Sequence, residues 1–224
     1  MTRAAWRALE GASCWAWPVG RRDGESYALA LVARAGLPKP ARLLPLDFPM
    51  TRDPVALARH WQVAATRTLE VLREGIDVVF LVEGDASFFA TFGYLSRTVR
   101  VLDPAVKVVV IPGVASPLAA AALEGEPLCA GEGSLAILPG TAGFERIERL
   151  LGEFQTVVLL KVRPVLPELL VLLTRRNLLS RSVFVERAGA PEERVVRDVE
   201  TLRGRDVHYL SLLIVHCGQG EALA

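Results

Sequence analysis

Apolar and polar positions follow two rhythms along this chain. Short apolar runs rich in β-branched and aromatic residues stop at glycine or proline. Between them lie stretches with an apolar residue every three or four positions. Strands and helices therefore alternate, the order expected of an α/β protein with much parallel sheet. Trp6 to Leu9 reads as the end of a helix, Cys14–Val19 as a strand, and Gly20 to Gly24 as a turn. Glu25–Ala35 reads as a helix closed by Gly36 and Pro38, and Arg42–Phe48 as a strand. Asp53 is placed to cap a long helix with Pro54 at its first position and Gly75 at its end. The apolar face of that helix includes Val55, Leu57, Trp61, Ala65, Leu69 and Leu72. Asp77–Val82 is a predicted buried strand, Phe88–Ser96 a helix, and Lys107–Ile111 a further strand.

Pro112-Gly113 breaks the pattern and sets the expected boundary between a first α/β lobe, 1–111, and a second, 112–224. Helices are predicted beyond it at Ser116–Leu123, Gly143–Leu151 and Pro167–Arg176. Strands are predicted at Ser134–Leu138, Thr156–Leu160, Ser182–Glu186, Arg194–Asp198 and Tyr209–Val215. The short connections of the last two suggest an antiparallel portion, so the second sheet is expected to be mixed.

Composition narrows the function. Hydrophobic residues make up 51% of the 224 residues, enough for a sizeable core. A net charge of +1 speaks against coating nucleic acid, which needs a strong basic field, and leaves room for a local basic pocket. Cys14, Cys129 and Cys217 are scattered, and His60, His208 and His216 lack ligand spacing; no metal site is expected and structural roles are. No run is long and apolar enough for a membrane span, and the opening residues carry no signal-peptide pattern, so a cytoplasmic protein is expected.

Two strand ends could carry chemistry, because ligands of open α/β sheets bind beyond the carboxyl ends of the strands. At Glu83-Gly84-Asp85 the glycine lets the backbone turn, and Asp85 is expected to be partly desolvated by Phe88, Phe89 and Phe92. Desolvation would raise its pKa and suit it to act as a base. The competing reading makes Asp85 the N-cap of the next helix. At Ile111-Pro112-Gly113-Val114-Ala115-Ser116 main-chain N–H groups could bind a carboxylate or ribose, or the segment could be an ordinary turn.

These residues sit inside a wider likeness. Trp17-Pro-Val, Glu25-Ser26, Val82–Leu95, Pro112-Gly113 with Ala119–Ala122, Glu186–Glu193 and Tyr209–Val215 together resemble the tetrapyrrole methylases, most closely the precorrin-2 C(20)-methyltransferases of cobalamin biosynthesis. The resemblance implies two α/β lobes with S-adenosylmethionine folded between them, a homodimer, and methylation of precorrin-2 or cobalt-precorrin-2 at C(20). It implies cofactor contacts at Glu83, Gly84, Asp85, Phe88, Ala115, Ser116, Ala136, Ile137, Lys161, Gly189 and Ala190. Asp85 is the candidate to remove the proton from the methylated carbon. The sulfonium is already activated, so no metal is expected in the transfer. Precorrin-2 is a polycarboxylate, and Arg21 and Arg22 are the first choice to meet it, ahead of Arg97 and Arg100.

Two features depart from the family pattern. Ala86 stands where a proline usually follows the Gly-Asp pair. A strand and Gly-x-Gly-Pro-Gly-Asp loop that open the family are absent, so the first lobe is expected to be truncated at its start, with a slot beside Cys14–Val19 or Asp77–Val82 or with those strands shifted to close it. Other readings are a different activity of the superfamily, or a relic that binds tetrapyrrole or a partner without turnover.

Overall fold

A computed structural model describes residues 1–20, 26–51 and 53–218. The chain forms two compact units, Met1–Ala115 and Ser116–Ala224.

The first unit is built on a three-stranded parallel sheet of β1 (Cys14–Val19), β2 (Arg42–Asp47) and β3 (Val78–Phe80), in the order β2-β1-β3. Successive side chains of a strand point to opposite faces. Cys14 and Ala16 of β1 face a core completed by α3 (Pro54–Arg73) and α4 (Phe92–Leu102). Trp15 and Trp17 face the other way, onto α1 (Arg3–Glu10) and α2 (Tyr27–Arg34). The Trp15 indole N–H donates to Leu9 O at 3.1 Å, so the buried ring keeps its polar group satisfied.

Side chains cap these helices, at Asp53 as expected. Thr2 accepts from the Ala5 N–H and Ser26 from the Leu29 N–H, each at 3.2 Å, and Asp53 accepts from the Val55 N–H at 3.0 Å. The buried face of α3 is Ala64, Ala65, Thr68, Leu69 and Val71, whereas Val55, expected inside, is 76% exposed in the first turn. Trp61 of α3 stacks on Tyr94 of α4, centroids 4.4 Å apart.

Three expected elements differ. The buried strand expected at Asp77–Val82 is only Val78–Phe80, and it is partly exposed. The helix after β3 starts at Phe92 rather than Phe88. Phe89 takes φ 50°, which a right-handed helix cannot contain, and Asp85 folds the preceding residues into a side-chain turn. Lys107–Ile111 forms no strand. An apolar run needs a hydrogen-bonded neighbour to become one, and the ladder of β3 is with β1 alone among the described residues. Val109 and Val110 of that run stay 65% and 48% exposed. β1 is paired on both sides, and β2 and β3 are the edges of this sheet among the described residues.

The second unit carries a mixed sheet in the order β4-β5-β8-β6-β7. Its strands are β4 (Leu135–Pro139), β5 (Thr156–Leu160), β6 (Ser182–Glu186), β7 (Arg194–Val196) and β8 (Ser211–His216). β4 and β5 are parallel; β8 runs antiparallel to both β5 and β6, and β7 antiparallel to β6. Val157, Leu159, Phe184, Leu213 and Val215 pack against Ile147 and Leu151 of α6 (Phe144–Glu153) and Leu169, Leu170 and Leu173 of α7 (Leu166–Arg175). α5 (Ser116–Glu124) opens the unit. No described helix is long and apolar enough to cross a membrane.

Candidate active site

In the first unit two loops meet beyond β3. Gly84 takes φ 71°, a conformation that favours glycine, and its carbonyl turns toward Gly113. A Cβ added to Gly113 would lie 1.8 Å from Gly84 O and 2.8 Å from Gly84 C, so only glycine fits there. Asp85 ties the loops together. Its Oδ2 accepts from the Gly113 N–H at 2.8 Å, and its Oδ1 accepts from the Ser87 N–H at 2.8 Å and from the Ser87 hydroxyl.

This corrects the expected desolvation of Asp85 and its helix-cap reading. Its pKa is lowered rather than raised, by the Ser87 hydroxyl first and then by the N–H groups of Gly113 and Ser87, all of which favour the ionised form. The expected aromatic desolvation fails because the rings turn to one another: Phe88 meets Phe89 at 4.9 Å and Phe92 meets Phe80 at 5.9 Å. Nor is Asp85 a helix cap, since α4 begins at Phe92 with Thr91 before it. The Phe88 N–H closes the turn onto Asp85 O at 3.2 Å.

Glu83 is exposed as a residue, yet the protein packed around its carboxyl pushes its pKa up. Contact with water sets the limit, because a hydrated carboxyl keeps only part of a desolvation shift. Ala115 ends the first unit and Ser116 opens α5 of the second. Arg21 and Arg22 lie outside the described residues.

In the second unit one end of the sheet gathers several of the expected residues. β5 ends at Leu160, paired with Leu212, and β6 ends at Glu186, paired with Ser211. Lys161 follows β5, takes φ 55°, and donates its N–H to Ser211 O at 3.0 Å. Gly189, at φ 79°, donates its N–H to Glu193 Oε2 at 2.6 Å, and buried Ala190 donates to Arg187 O at 2.9 Å. Only β8 separates β5 from β6, so the ends of these two strands lie about 10 Å apart by strand spacing. Ala136 and Ile137 lie within β4, opposite Val157 and Val158, back from that end. β4 is an edge strand, so part of its main chain has no ladder partner among the described residues.

Two groupings have no signal in the sequence. A cavity of about 490 Å³ is lined by Thr141, Lys161, Arg163, Pro164, Asp206 and Tyr209, brought together from a 69-residue stretch of chain only by the fold. His216 Nε2 meets Glu124 Oε1 at 2.8 Å, and the other oxygen of this buried carboxylate has no partner among the described residues. No described group of three or more His, Cys, Asp or Glu stands together as a metal site.

A model of the tetrapyrrole (corrin/porphyrin) methylases matches residues 1–202. Over 201 residues the chain is 31% identical to the cobalt-precorrin-2 C(20)-methyltransferase of Salmonella typhimurium, covering 89% of this chain and 83% of that protein. Its fold is similar to that of a cobalt precorrin-4 methyltransferase, with a TM-score of 0.70 and 16% identity over 98% of this chain and 90% of that one. It is also similar to uroporphyrin-III C-methyltransferase from Thermus thermophilus, solved with S-adenosylhomocysteine, with a TM-score of 0.62 and 24% identity over 96% and 90% of the two chains.

Proposed function

The chain belongs to the tetrapyrrole (corrin/porphyrin) methylases, and we propose that it transfers a methyl group from S-adenosylmethionine to C(20) of precorrin-2 or cobalt-precorrin-2, in cobalamin biosynthesis. The observation that carries this reading is the 31% identity with a cobalt-precorrin-2 C(20)-methyltransferase across 201 residues rather than over one motif.

The donor's chemical groups suit the residues present. The Glu83 carboxylate can accept from ribose hydroxyls. The free edge of β4 at Ala136 and Ile137 offers main-chain donors and acceptors to a flat heteroaromatic base. When bound, S-adenosylmethionine supplies an electrophilic methyl group on a sulfonium. The chain's own part is to hold the reacting groups in line, and a well-oriented pair can gain about 7–11 kcal/mol in favourable models.

Asp85 contributes to that alignment by holding the Glu83–Asp85 turn against Gly113. A lowered pKa and three donors already on its oxygens make it a poor proton acceptor. We therefore assign it a positioning role, and the proton shed by the methylated carbon goes to another acceptor. A cytoplasmic homodimer completes the proposal. Exposed Val101, Val109 and Val110 offer the first unit an apolar surface for a second copy, and three free thiols suit a reducing compartment.

The test is methyl transfer from isotope-labelled S-adenosylmethionine to precorrin-2, made in situ without oxygen, and to its cobalt complex. One added methyl, located at C(20) by NMR, is the expected result. No transfer to either form by a chain that binds S-adenosylhomocysteine would sink the enzymatic reading and favour a tetrapyrrole binder without turnover.

A further inference from the structure

Two consecutive rings beyond β3 touch. Phe88 and Phe89 pack edge to face, centroids 4.9 Å apart and planes at 83°. Regular backbone does not bring such neighbours together. Successive side chains point to opposite faces of a strand, and in a helix residues i and i+1 do not face each other. The contact comes with Phe89 at φ 50°, in the left-handed region that a bulky residue with a Cβ rarely enters. Burial does not offset that strain. Phe89 stays 52% exposed, and neither ring joins the two cores packed on β1. The turn holds the conformation instead: the Ser87 N–H donates to Asp85 Oδ1 at 2.8 Å and the Phe88 N–H to Asp85 O at 3.2 Å. Strain that the surroundings impose, with no gain in packing, points to a working site.

This turn lies beyond the carboxyl end of β3, where ligands of open α/β sheets bind. Phe88 is the half-buried ring of the pair and Phe89 the exposed one. A ring free to change rotamer loses that freedom when a ligand packs on it, and affinity suffers. A second ring set at right angles against it removes the freedom beforehand. We propose that Phe89 is a positioning residue, whose ring fixes Phe88 as an apolar wall for the methyl donor. The proposal rests on the methyl-transfer reading, which supplies the donor and the expected contact at Phe88. Phe89 itself touches neither donor nor tetrapyrrole; its effect passes through Phe88.

The experiment measures S-adenosylhomocysteine binding by titration calorimetry. The proteins are the full chain, Phe89→Leu, Phe89→Gly, Phe89→Tyr, Phe88→Leu and the double variant Phe88→Leu/Phe89→Leu. Affinity should fall about fivefold in Phe89→Leu and Phe89→Gly, the size of one edge-to-face pair. Phe89→Tyr keeps the ring and should bind within about twofold of the parent. Glycine relieves the strained φ as it removes the ring, so Phe89→Gly should melt close to the parent, and its loss of binding is then not a loss of fold. Phe88→Leu should weaken binding at least as much as Phe89→Leu does. Once Phe88→Leu is present, the second substitution should change affinity by less than about twofold, because the two act as one unit. Unchanged binding in Phe89→Leu and Phe89→Gly, or in Phe88→Leu, overturns the proposal. An equal loss from Phe89→Leu with and without the Phe88 ring also overturns it, since Phe89 would then touch the donor directly or act through the fold. A parent chain that binds no S-adenosylhomocysteine overturns the methyl-transfer reading and the proposal together, whereas a binding parent with indifferent variants overturns the proposal alone.

Discussion

Replacing Asp85 with Asn separates a carboxylate that positions loops from one that moves protons. In the parent chain Oδ2 accepts from the Gly113 N–H at 2.8 Å, and Oδ1 accepts from both donors of Ser87. An asparagine can keep the Ser87 contacts, but its amide then turns an N–H toward the N–H of Gly113. One charge-assisted hydrogen bond is lost and two donors face each other. A hydrogen bond to a charged group is worth about 1.5–3 kcal/mol, and solvent at this half-exposed site reduces that to about 1–2 kcal/mol. For a chain of this length the melting temperature should fall by roughly 2–8 °C.

The pH dependence follows from the lowered pKa of Asp85. Its stabilising contribution is complete above the ordinary unfolded value of about 3.9 and is lost as pH falls through the lower folded value. The gap between parent and variant melting curves should therefore be constant at neutral pH and close only in acid. Turnover should fall by about tenfold, as mild misalignment does, with the shape of its pH profile kept. A loss of roughly 10²–10⁴ with disappearance of the acidic limb would instead make Asp85 the base and refute the positioning argument. Equal melting at every pH would refute the loop contact itself.

Gly113→Ala drives a Cβ into the Gly84 carbonyl, and neither backbone can yield cheaply; denaturant titration should show a loss of about 3 kcal/mol or more. Gly84→Ala at φ 71° should cost only about 1–2 kcal/mol in the same assay, and equal losses would mean the two loops do not touch. His216→Ala removes the one partner that the Glu124 carboxylate has among the described residues, and, with that side chain only 6% exposed, should lower stability by about 3 kcal/mol. A variant as stable as the parent would show the pair to be incidental. Iodoacetamide at pH 8 should label exposed Cys129 first, followed by mass spectrometry; Cys217, its thiol pushed up to about 11 by burial, and buried Cys14 should lag, and early labelling of either would contradict the packing around it.

Local chemistry made much of this fold readable from the chain. Cys14–Val19, Thr156–Leu160 and Ser182–Glu186 are strands with the bounds expected, because each apolar run is short and cut off by residues that cannot continue it. The caps at Ser26 and Asp53 are decided within a few residues of sequence. The family likeness was legible for a related reason: many weak local matches, each a turn or strand end, add up along the chain. Non-local contacts were not legible. Lys107–Ile111 has the composition of a strand, but a strand is a partnership, and the neighbour that would complete it is not a property of those five residues. The state of Asp85 was misread because its pKa is lowered by the Ser87 hydroxyl first and then by the N–H of Gly113, 28 positions away, rather than raised by the phenylalanines beside it. Arg163 and Asp206, 43 positions apart, meet because β8 runs between β5 and β6, and no spacing rule announces a pairing across strands that are not consecutive. Amino-acid order determined the elements and their ends through interactions spanning a few residues. Which distant groups share a charge, a hydrogen bond or a cavity was decided only when the sheets brought them within ångströms of each other.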